Sequence, residues 1–315
     1  MNRTNGPAAL VLSASVARRY YLDGRSKLEI AEEFQLSRFK VARLIDAARE
    51  SGLVRIEIGR PGLIDVDLSA RLQERFGLGH AVAVDVGDDD AAAVRRHLGQ
   101  VAAELLAEVI TADDVLGVAW SRSVGAMAQA LPRLARVPVT QLTGAVSLPD
   151  ADDSSIDIVR DVARAAGGPA YVFYAPFTLP DAATARTLRR QREVAAAFAQ
   201  LPRVTRAVVG VGMWAAGHST LYEAASEADR RALRSLGVCA EVSGVFLTES
   251  GEAVDCPLRE RMIGIDAEQM RAIPEVLVIA YGRVKVPAVR AALRSGLVDG
   301  LVTQTVVARA LLEAA

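Results

Sequence analysis

From about Asp67 to the end of the chain, short apolar segments alternate with longer segments of helical periodicity. This alternation constrains the fold most, because strands separated by helices pair in parallel and bury both faces of one sheet. The pattern predicts an α/β, Rossmann-like domain with a largely parallel open sheet. The predicted strands cover residues 81–86, 115–119, 137–142, 170–173, 207–211, 242–247, 276–280 and 297–302. The clearest predicted helices cover residues 91–110, 156–166, 182–200, 228–236, 287–295 and 306–312.

The first sixty residues have helical periodicity instead, and strand-like alternation begins only at Leu53. Ser26 and Glu29 have the spacing of a capping box that opens a second helix, and Ser37 is suited to cap a third. Residues 53–58 alternate apolar and charged side chains, as in a strand with one exposed face. The sequence thus predicts a winged helix-turn-helix domain over 1–60 and an α/β effector-binding domain over 61–315. The predicted inward-facing helical residues include Val16, Tyr20, Tyr21, Ile30, Ala31, Phe34, Val41, Leu44, Ile45 and Ala48.

Charge is distributed unevenly between these two parts. The chain has 37 Lys and Arg residues against 38 Asp and Glu residues, yet its first 60 residues contain 11 against 7 and the remainder contains 26 against 31. A small basic unit before a larger acidic one favours a partner with a negatively charged backbone, here a double-stranded DNA operator.

The third predicted helix is the candidate recognition helix, because the second helix of such a motif enters the major groove. Its basic side chains can donate to guanine, Phe39 can contact a thymine methyl group, and Ser37 is positioned for a phosphate. Arg18, Arg19 and Arg25 are further candidates for phosphate contacts. The predicted DNA-binding residues are Ser37, Arg38, Phe39, Lys40, Arg43 and Lys27.

A ligand of an open α/β sheet binds beyond the carboxyl ends of the strands, so the loops that follow the strands are the candidate site. Residues 121–123 follow one strand at a predicted helix N-terminus, which suits an anion, and Lys285 is the only lysine among the last 255 residues. Glycines after two other strands would let a ligand approach the backbone closely. The predicted effector-binding residues are Ser121, Arg122, Ser123, Thr143, Gly144, Gly210, Gly212, Glu241, Lys285 and Gln304.

Residues 19–54, which read RYYLDGRSKLEIAEEFQLSRFKVARLIDAARESGLV, resemble the N-terminal region of the SorC family of sugar-binding transcriptional regulators. The resemblance extends from about Ser15 to the end of the chain. It implies a sugar-phosphate isomerase-like domain used as a sensor, an effector that is commonly a phosphorylated sugar, and assembly into homodimers or homotetramers.

Several positions depart from the family pattern. Ser121 and Ser123 stand in the tryptophan-glycine-x-threonine segment that begins at Trp120, and Gln304 replaces an aspartate. The glycine pair after the next strand is Gly144 followed by alanine, and the pair before Lys285 is a tyrosine followed by a glycine. These changes argue for an altered ligand, so the expected effector is a sugar, a polyol or a sugar phosphate.

Other classes of function are disfavoured. The longest apolar run, near residues 207–216, is interrupted by glycines and too short to span a bilayer. Residues 8–17 are only weakly apolar and run directly into Arg18 and Arg19, which disfavours a secretory signal, so we expect a cytoplasmic protein. Two cysteines and three scattered histidines form no metal-ligand spacing, and we predict neither metal nor cofactor. We predict a regulator and not an enzyme. The alternatives are an isomerase-like enzyme with an accessory DNA-binding head and a DNA-binding protein whose sensor has decayed.

Overall fold

A computed structural model of the chain describes residues 6–54, 63–87, 90–146 and 154–313. The chain divides into two compact units, Met1–Gly59 and Arg60–Ala315, which we name the head unit and the large unit. Most of the strand predicted for the wing, over residues 53–58, lies outside the described residues, as does the predicted boundary near residues 59–62.

Three helices form the described part of the head unit: α1 (Pro7–Tyr21), α2 (Lys27–Glu33) and α3 (Arg38–Glu50). The predicted capping box opens α2, because the Ser26 hydroxyl accepts from the Glu29 amide at 3.3 Å and the Glu29 carboxylate accepts from the Ser26 amide at 2.8 Å. The Ser37 hydroxyl caps α3 by accepting from the Lys40 amide at 3.2 Å. The predicted helices and caps of the head unit are confirmed. The residues of its core that are buried are Val16, Ile30, Ala31, Val41 and Ile45.

The large unit contains one predominantly parallel sheet, as predicted. The main path of the sheet consists of β1 (Ile64–Asp65), β2 (His80–Val84), β3 (Leu116–Val118), β4 (Val139–Gln141), β5 (Ala170–Tyr171), β6 (Arg206–Met213), β10 (Glu275–Ala280) and β11 (Gly300–Gln304), and a branch from β6 consists of β7 (Val238–Val242), β8 (Val245–Thr248) and β9 (Ala253–Val254). The spatial order along the main path is β1-β2-β11-β10-β6-β3-β4-β5, and only β1 runs antiparallel to its neighbour along it.

Helices cover both faces of this sheet. The helices of the large unit are α4 (Val66–Phe76), α5 (Ala91–Val109), α6 (Arg122–Ala130), α7 (Ser155–Ala166), α8 (Ala182–Arg189), α9 (Arg192–Phe198), α10 (Thr220–Ala224), α11 (Glu227–Ser235), α12 (Pro257–Glu260), α13 (Ala267–Arg271), α14 (Val286–Arg294) and α15 (Thr305–Glu313), with 3₁₀ turns at Leu201–Arg203 and Arg283–Lys285. Consecutive strand residues such as Val208 and Val209 belong to different core clusters, one packed by α5 to α7 and the other by α4, α14 and α15. Burial on both faces explains why these strands are continuous apolar runs.

Two predicted elements are wrong in extent. Residues 242–247 form no single strand, because Ser243 and Gly244 have φ of 51° and 85° and make the two-residue turn between β7 and β8. The predicted helix over 182–200 is two helices, because the backbone of Gln191, at the N-cap position of α9, is extended. The sequence reasoning also omitted strands β1 and β9, which are only two residues long.

Strand β6 positions the site. Its first residues pair in parallel with β3 and β10, and its last residues pair antiparallel with β7, where Gly212 lies opposite Glu241. The sheet therefore continues beyond the carboxyl ends of its parallel strands as the antiparallel branch β6-β7-β8-β9. Among the helices the structure describes, no helix is both long enough and apolar enough to cross a membrane.

Candidate functional site

A cavity of about 540 Å³ lies in the large unit at the carboxyl ends of the parallel strands. The ends of β3, β6, β10 and β11 and the antiparallel strand β7 all contribute to its wall. Nine of the ten predicted effector residues line it: Ser121, Arg122, Ser123, Thr143, Gly210, Gly212, Glu241, Lys285 and Gln304.

The tenth predicted residue, Gly144, is not part of the cavity wall. A Cβ atom at this position would lie 2.6 Å from the Pro176 carbonyl oxygen and 2.7 Å from the Phe177 Cα atom. The glycine therefore allows two backbone segments to pack closely, and unlike the other nine predicted residues it does not line the cavity.

Ser121 and Ser123 begin α6 on the cavity wall, and the hydrogen bonds of both are largely internal. The Ser121 hydroxyl caps α6 by accepting from the Val124 amide at 3.1 Å, and it lies 3.1 Å from the Ser123 hydroxyl. Ser123 in turn donates to the Ile279 carbonyl oxygen at 3.0 Å, which ties α6 to β10. These hydroxyls thus fix the helix N-terminus, whose first amides face a region that suits an anion.

Gly210 and Gly212 make room for neighbouring side chains. A Cβ atom at Gly210 would lie 2.7 Å from the Ser121 Cβ atom, and one at Gly212 would overlap the Glu241 carboxylate and lie 2.8 Å from the Ser219 Cβ atom. From the sequence we expected these glycines to admit the ligand to the backbone. In the structure the space beside them is filled by the polar side chains that line the cavity.

Glu241 is the carboxylate of the cavity. Its Oε1 atom accepts from the Ser219 hydroxyl at 3.0 Å, and its Oε2 atom accepts from the Gly244 amide at 3.1 Å. Burial raises the pKa of the Glu241 carboxyl, although both hydrogen bonds and the charge of Lys285 act in the opposite direction. A carboxylate oxygen can accept more than one hydrogen bond, so this fixed group retains capacity for ligand hydroxyls.

Lys285 is the ammonium of the cavity. Its Nζ atom lies 3.4 Å from the Val211 carbonyl oxygen and 5.6 Å from the centre of the Tyr281 ring. Burial lowers the pKa of this lysine, the nearby Glu241 raises it and the nearby Arg122 lowers it further. The lysine thus lies within electrostatic reach of both the carboxylate and the cationic parts of the wall.

Gln304 and Thr143 close the cavity at the ends of β11 and β4, and both are almost completely buried. The Gln304 side-chain oxygen accepts from the Gly282 amide at 2.8 Å, which fixes the loop that carries Lys285. The Gln304 side chain thereby orders the wall of the site.

Sequence reasoning missed several residues of the wall. Arg95 comes from α5, and its Nη1 atom donates to the Tyr281 hydroxyl at 3.3 Å. Because the two residues are 186 positions apart, no local sequence pattern predicts this contact. Ser219 caps α10 and could have been found from its capping position after Gly217. Other wall residues absent from the predicted set are Trp120, His218, Thr220, Glu223 and Ser243. In the described ranges no three His, Cys, Asp or Glu side chains form a group suited to a metal ion.

In the head unit, the predicted DNA-binding residues cluster at the N-terminal half of α3. Ser37, Arg38, Phe39, Lys40 and Arg43 are all exposed, and Phe39 is 83% exposed. The exposed ring is therefore accessible for the predicted contact with a thymine methyl group.

Three of the other basic residues of the head unit have intramolecular partners. Lys27 is half-buried, with its ammonium 5.7 Å from the centre of the Tyr20 ring. Arg19 and Arg25 pair with Glu33 at 2.8 Å and 2.9 Å, so the phosphate contacts considered for them compete with internal ion pairs.

Comparison with known proteins identifies a family model, curated relatives and solved structures that are similar to this chain. Residues 63–313 match the family model described as "Putative sugar-binding domain". The chain is 28% identical over 308 residues to the transcriptional regulator LsrR of Enterobacter sp. (strain 638), covering 96% of this chain and 92% of the relative. It is 27% identical over 307 residues to the erythritol catabolism regulatory protein EryD of Brucella abortus, covering 96% of each chain. The crystal structure of the full-length sorbitol operon regulator SorC from Klebsiella pneumoniae has the same fold, with a TM-score of 0.73, 21% identity, and coverage of 96% of this chain and 98% of that one.

Proposed function

Because this chain belongs to the SorC family of sugar-binding transcriptional regulators, we propose that its cavity binds a hydroxylated small molecule whose binding controls attachment of the head unit to operator DNA. In this proposal the protein is cytoplasmic and has two partners, a double-stranded DNA operator and a sugar, sugar phosphate or polyol effector. The ligand acts by preferring one arrangement of the protein over another, and this preference is what changes the affinity for DNA.

The composition of the cavity wall carries this proposal. Hydroxyl groups, the Glu241 carboxylate, the Lys285 ammonium and the Gln304 amide face one space at the carboxyl ends of parallel strands. A hydroxylated ligand needs donors and acceptors of this kind in close succession, and the carboxyl ends of strands are where open α/β sheets bind ligands.

The positive charge of the cavity wall is compatible with a phosphorylated effector. Arg95, Arg122 and Lys285 line the cavity, and α6 presents its N-terminus beside them. Cations and helix N-termini both favour an anion. Whether the effector carries a phosphate is therefore the first property to measure.

A thermal-shift titration of the full-length protein tests the effector class. The probes are erythritol, sorbitol, erythritol 4-phosphate and sorbitol 6-phosphate, with inorganic phosphate as the control for the cationic groups alone. A probe present at a hundred times its Kd stabilises the folded protein by about 2.7 kcal/mol, which raises the Tm by a few degrees. If none of the four carbon-containing probes raises the Tm beyond inorganic phosphate, the sensor proposal fails for this ligand class.

A DNA titration tests the coupling. Operator sequences are selected from a random pool with the purified protein, and affinity is then measured with and without the probe that stabilises it. We expect an affinity change of about 5- to 150-fold, the usual range of allosteric coupling. Equal affinities at saturating probe would contradict regulation by that ligand.

We further propose that the protein acts as a homodimer or homotetramer on a palindromic operator. A single recognition helix contacts few base pairs, and two-fold assemblies double the contacts on symmetric half-sites. Light scattering of the free protein and of its complex with selected DNA measures the stoichiometry. A complex with one chain per operator would contradict this assembly.

The cavity also supports a second candidate function, a sugar-phosphate isomerase. Glu241 and His218 line the same space, and a carboxylate or a histidine can act as the general base of such a reaction. We propose that binding occurs without turnover, because both oxygens of Glu241 are held by internal donors and the relatives are named as regulators. Incubation of the protein with aldose and ketose phosphates, followed by product analysis, measures turnover directly; conversion above that of buffer would favour the enzyme.

A further inference from the structure

Ser243 lies on the cavity wall and was not among the residues that the sequence indicated. It is only 9% exposed, and its hydroxyl oxygen has no hydrogen-bond partner. Of the buried side-chain atoms without such a partner in the described part of the chain, it is the one whose residue lines the cavity. A buried hydroxyl without a partner is unfavourable, so an unpaired one on the wall of a cavity points to a ligand group that completes it.

The backbone at Ser243 provides a second observation. Ser243 and Gln35 are the two residues other than glycine with positive φ among those described, and both have φ of 51°. Gln35 is exposed, whereas Ser243 occupies the first central position of the two-residue turn between β7 and β8. Such a turn needs positive φ at both positions and favours asparagine, aspartate or glycine at the first. A serine there is conformationally costly, and the turn itself gives no reason for it.

The surroundings of Ser243 indicate what kind of group it meets. Glu241, two residues earlier, accepts one hydrogen bond on each oxygen and retains acceptor capacity on both. The turn packs beside Phe177, since a Cβ atom at Gly244 would lie 2.7 Å from the end of that ring. Among the cations of the wall, Lys285 is the one whose charge acts on Glu241, while Arg122 and Arg95 come from α6 and α5. This part of the wall thus combines a hydroxyl and a carboxylate, which suits an uncharged hydroxyl group and not a phosphate.

We propose that Ser243 is a specificity-determining effector contact, which binds a hydroxyl group of the carbohydrate or polyol together with Glu241. The inference rests on the proposed function of the cavity as an effector site. The hydroxyl of Ser243 can donate to or accept from the ligand, and the carboxylate of Glu241 accepts from it. The strained turn then serves to aim the side chain, and ligand binding satisfies the unpaired group.

Two substitutions test the proposal in the full-length protein. Ser243→Ala removes the hydroxyl and keeps the Cβ atom, and Ser243→Gly also relieves the positive φ. The probes are erythritol, sorbitol and their monophosphates, with inorganic phosphate as the ligand control and Ser250→Ala, an exposed serine beyond β8, as the protein control. We expect both Ser243 variants to bind the stabilising probe about three- to tenfold more weakly, the value of one hydrogen bond, while stabilisation by inorganic phosphate stays unchanged.

The glycine variant separates a ligand contact from a structural role. Glycine adopts positive φ without penalty, so Ser243→Gly should raise the Tm of the free protein. If Ser243 serves only the turn, the Ser243→Gly protein should have a higher Tm and unchanged affinity for the probe. If Ser243 contacts the effector, the Ser243→Gly protein should have a higher Tm and bind the probe more weakly. Wild-type affinity in both variants overturns this inference alone. Failure of every carbon-containing probe to stabilise the wild-type protein overturns the proposed function, and this inference with it.

Discussion

The recognition helix of the head unit and the cavity of the large unit are both candidate binding surfaces, yet they are built in opposite ways. The candidate DNA contacts at positions 37–43 are adjacent in sequence, lie on one helix and are exposed. The cavity wall contains residues from position 91 to position 304, and several of its polar side chains are hydrogen-bonded to partners far along the chain. Exposed contacts can be changed without altering the fold. In the cavity, by contrast, binding and stability depend on the same atoms.

The largest effect that this comparison predicts is for Gly212→Ala in the cavity. The added Cβ atom would overlap the Glu241 carboxylate and lie 2.8 Å from the Ser219 Cβ atom, inside the β6-β7 pairing. We expect a loss of about 1–3 kcal/mol of stability from overpacking, together with loss of stabilisation by the polyol probes. Thermal and chemical unfolding with and without probe measure both effects.

The matched control is Gly87→Ala. A Cβ atom at Gly87 would have no heavy atom within 4 Å, and its φ lies outside the positive range. This variant should unfold and bind like the wild-type protein. Wild-type stability and binding in Gly212→Ala would contradict the assignment of this glycine as the space for Glu241.

For the head unit the comparison predicts an effect on binding alone. Arg43→Ala should weaken binding to selected operator DNA by about 1–3 kcal/mol if the guanidinium contacts a base. Because the side chain is exposed, the free energy of unfolding should change by no more than about 0.5 kcal/mol. Arg49→Ala, at an exposed position in the last turn of the same helix, is the control and should affect DNA affinity less. Equal losses in the two variants would mean that Arg43 contributes charge and not base recognition.

Ser37 is the one candidate DNA contact that should affect both stability and binding, because it caps α3 and is also predicted to contact a phosphate. Ser37→Ala removes the acceptor for the Lys40 amide and should cost about 1 kcal/mol of stability. Ser26→Ala removes the equivalent cap of α2 and should cost a similar amount. Only the Ser37 variant should lose additional DNA affinity, measured at a temperature at which both variants are folded. Equal DNA affinities in the two variants would leave Ser37 with a capping role only.

The same contrast explains what the sequence could predict. The capping box at Ser26, the cap at Ser37 and the periodic core of the head unit follow local rules, and all of them agree with the structure. The parallel strands were found from their apolar runs, since burial on both faces leaves no other pattern. The turn at Ser243 and Gly244 was missed because these two residues interrupt an otherwise apolar segment from Val242 to Leu247.

The rule that ligands bind at the carboxyl ends of strands predicted only part of the cavity wall. Ser121 and Lys285 follow β3 and β10, and Gly210 lies near the end of β6. Arg95 and Ser219, by contrast, reach the wall from helices elsewhere in the chain. Gly144 satisfies the rule as well and still lies outside the cavity, because the same backbone freedom serves close packing against Pro176. Loop position thus indicates the edge of the sheet, and only tertiary packing decides which side chains face the ligand.

The smallest expected effect concerns pH. It tests whether a carboxylate that lines the cavity also reduces the stability of the fold, which no exposed residue of the recognition helix should do. Burial raises the pKa of Glu241 above its unfolded value, so between the two pKa values the native state binds more protons than the unfolded state. Stability then falls as the pH rises through this interval, and the unfavourable contribution of the charged carboxylate is complete above the folded pKa.

Glu241→Gln removes this titration while keeping a hydrogen-bonding side chain of similar shape. Both proteins share every other titrating group, so the difference between their Tm values isolates this carboxyl. We expect that difference, variant minus wild type, to become more positive as the pH rises above the ordinary pKa of glutamate, and to level off once the folded carboxyl is charged, with a total change of about a few degrees at most. A difference that is constant with pH would mean that the internal donors from Ser219 and Gly244 compensate the burial of the carboxylate fully.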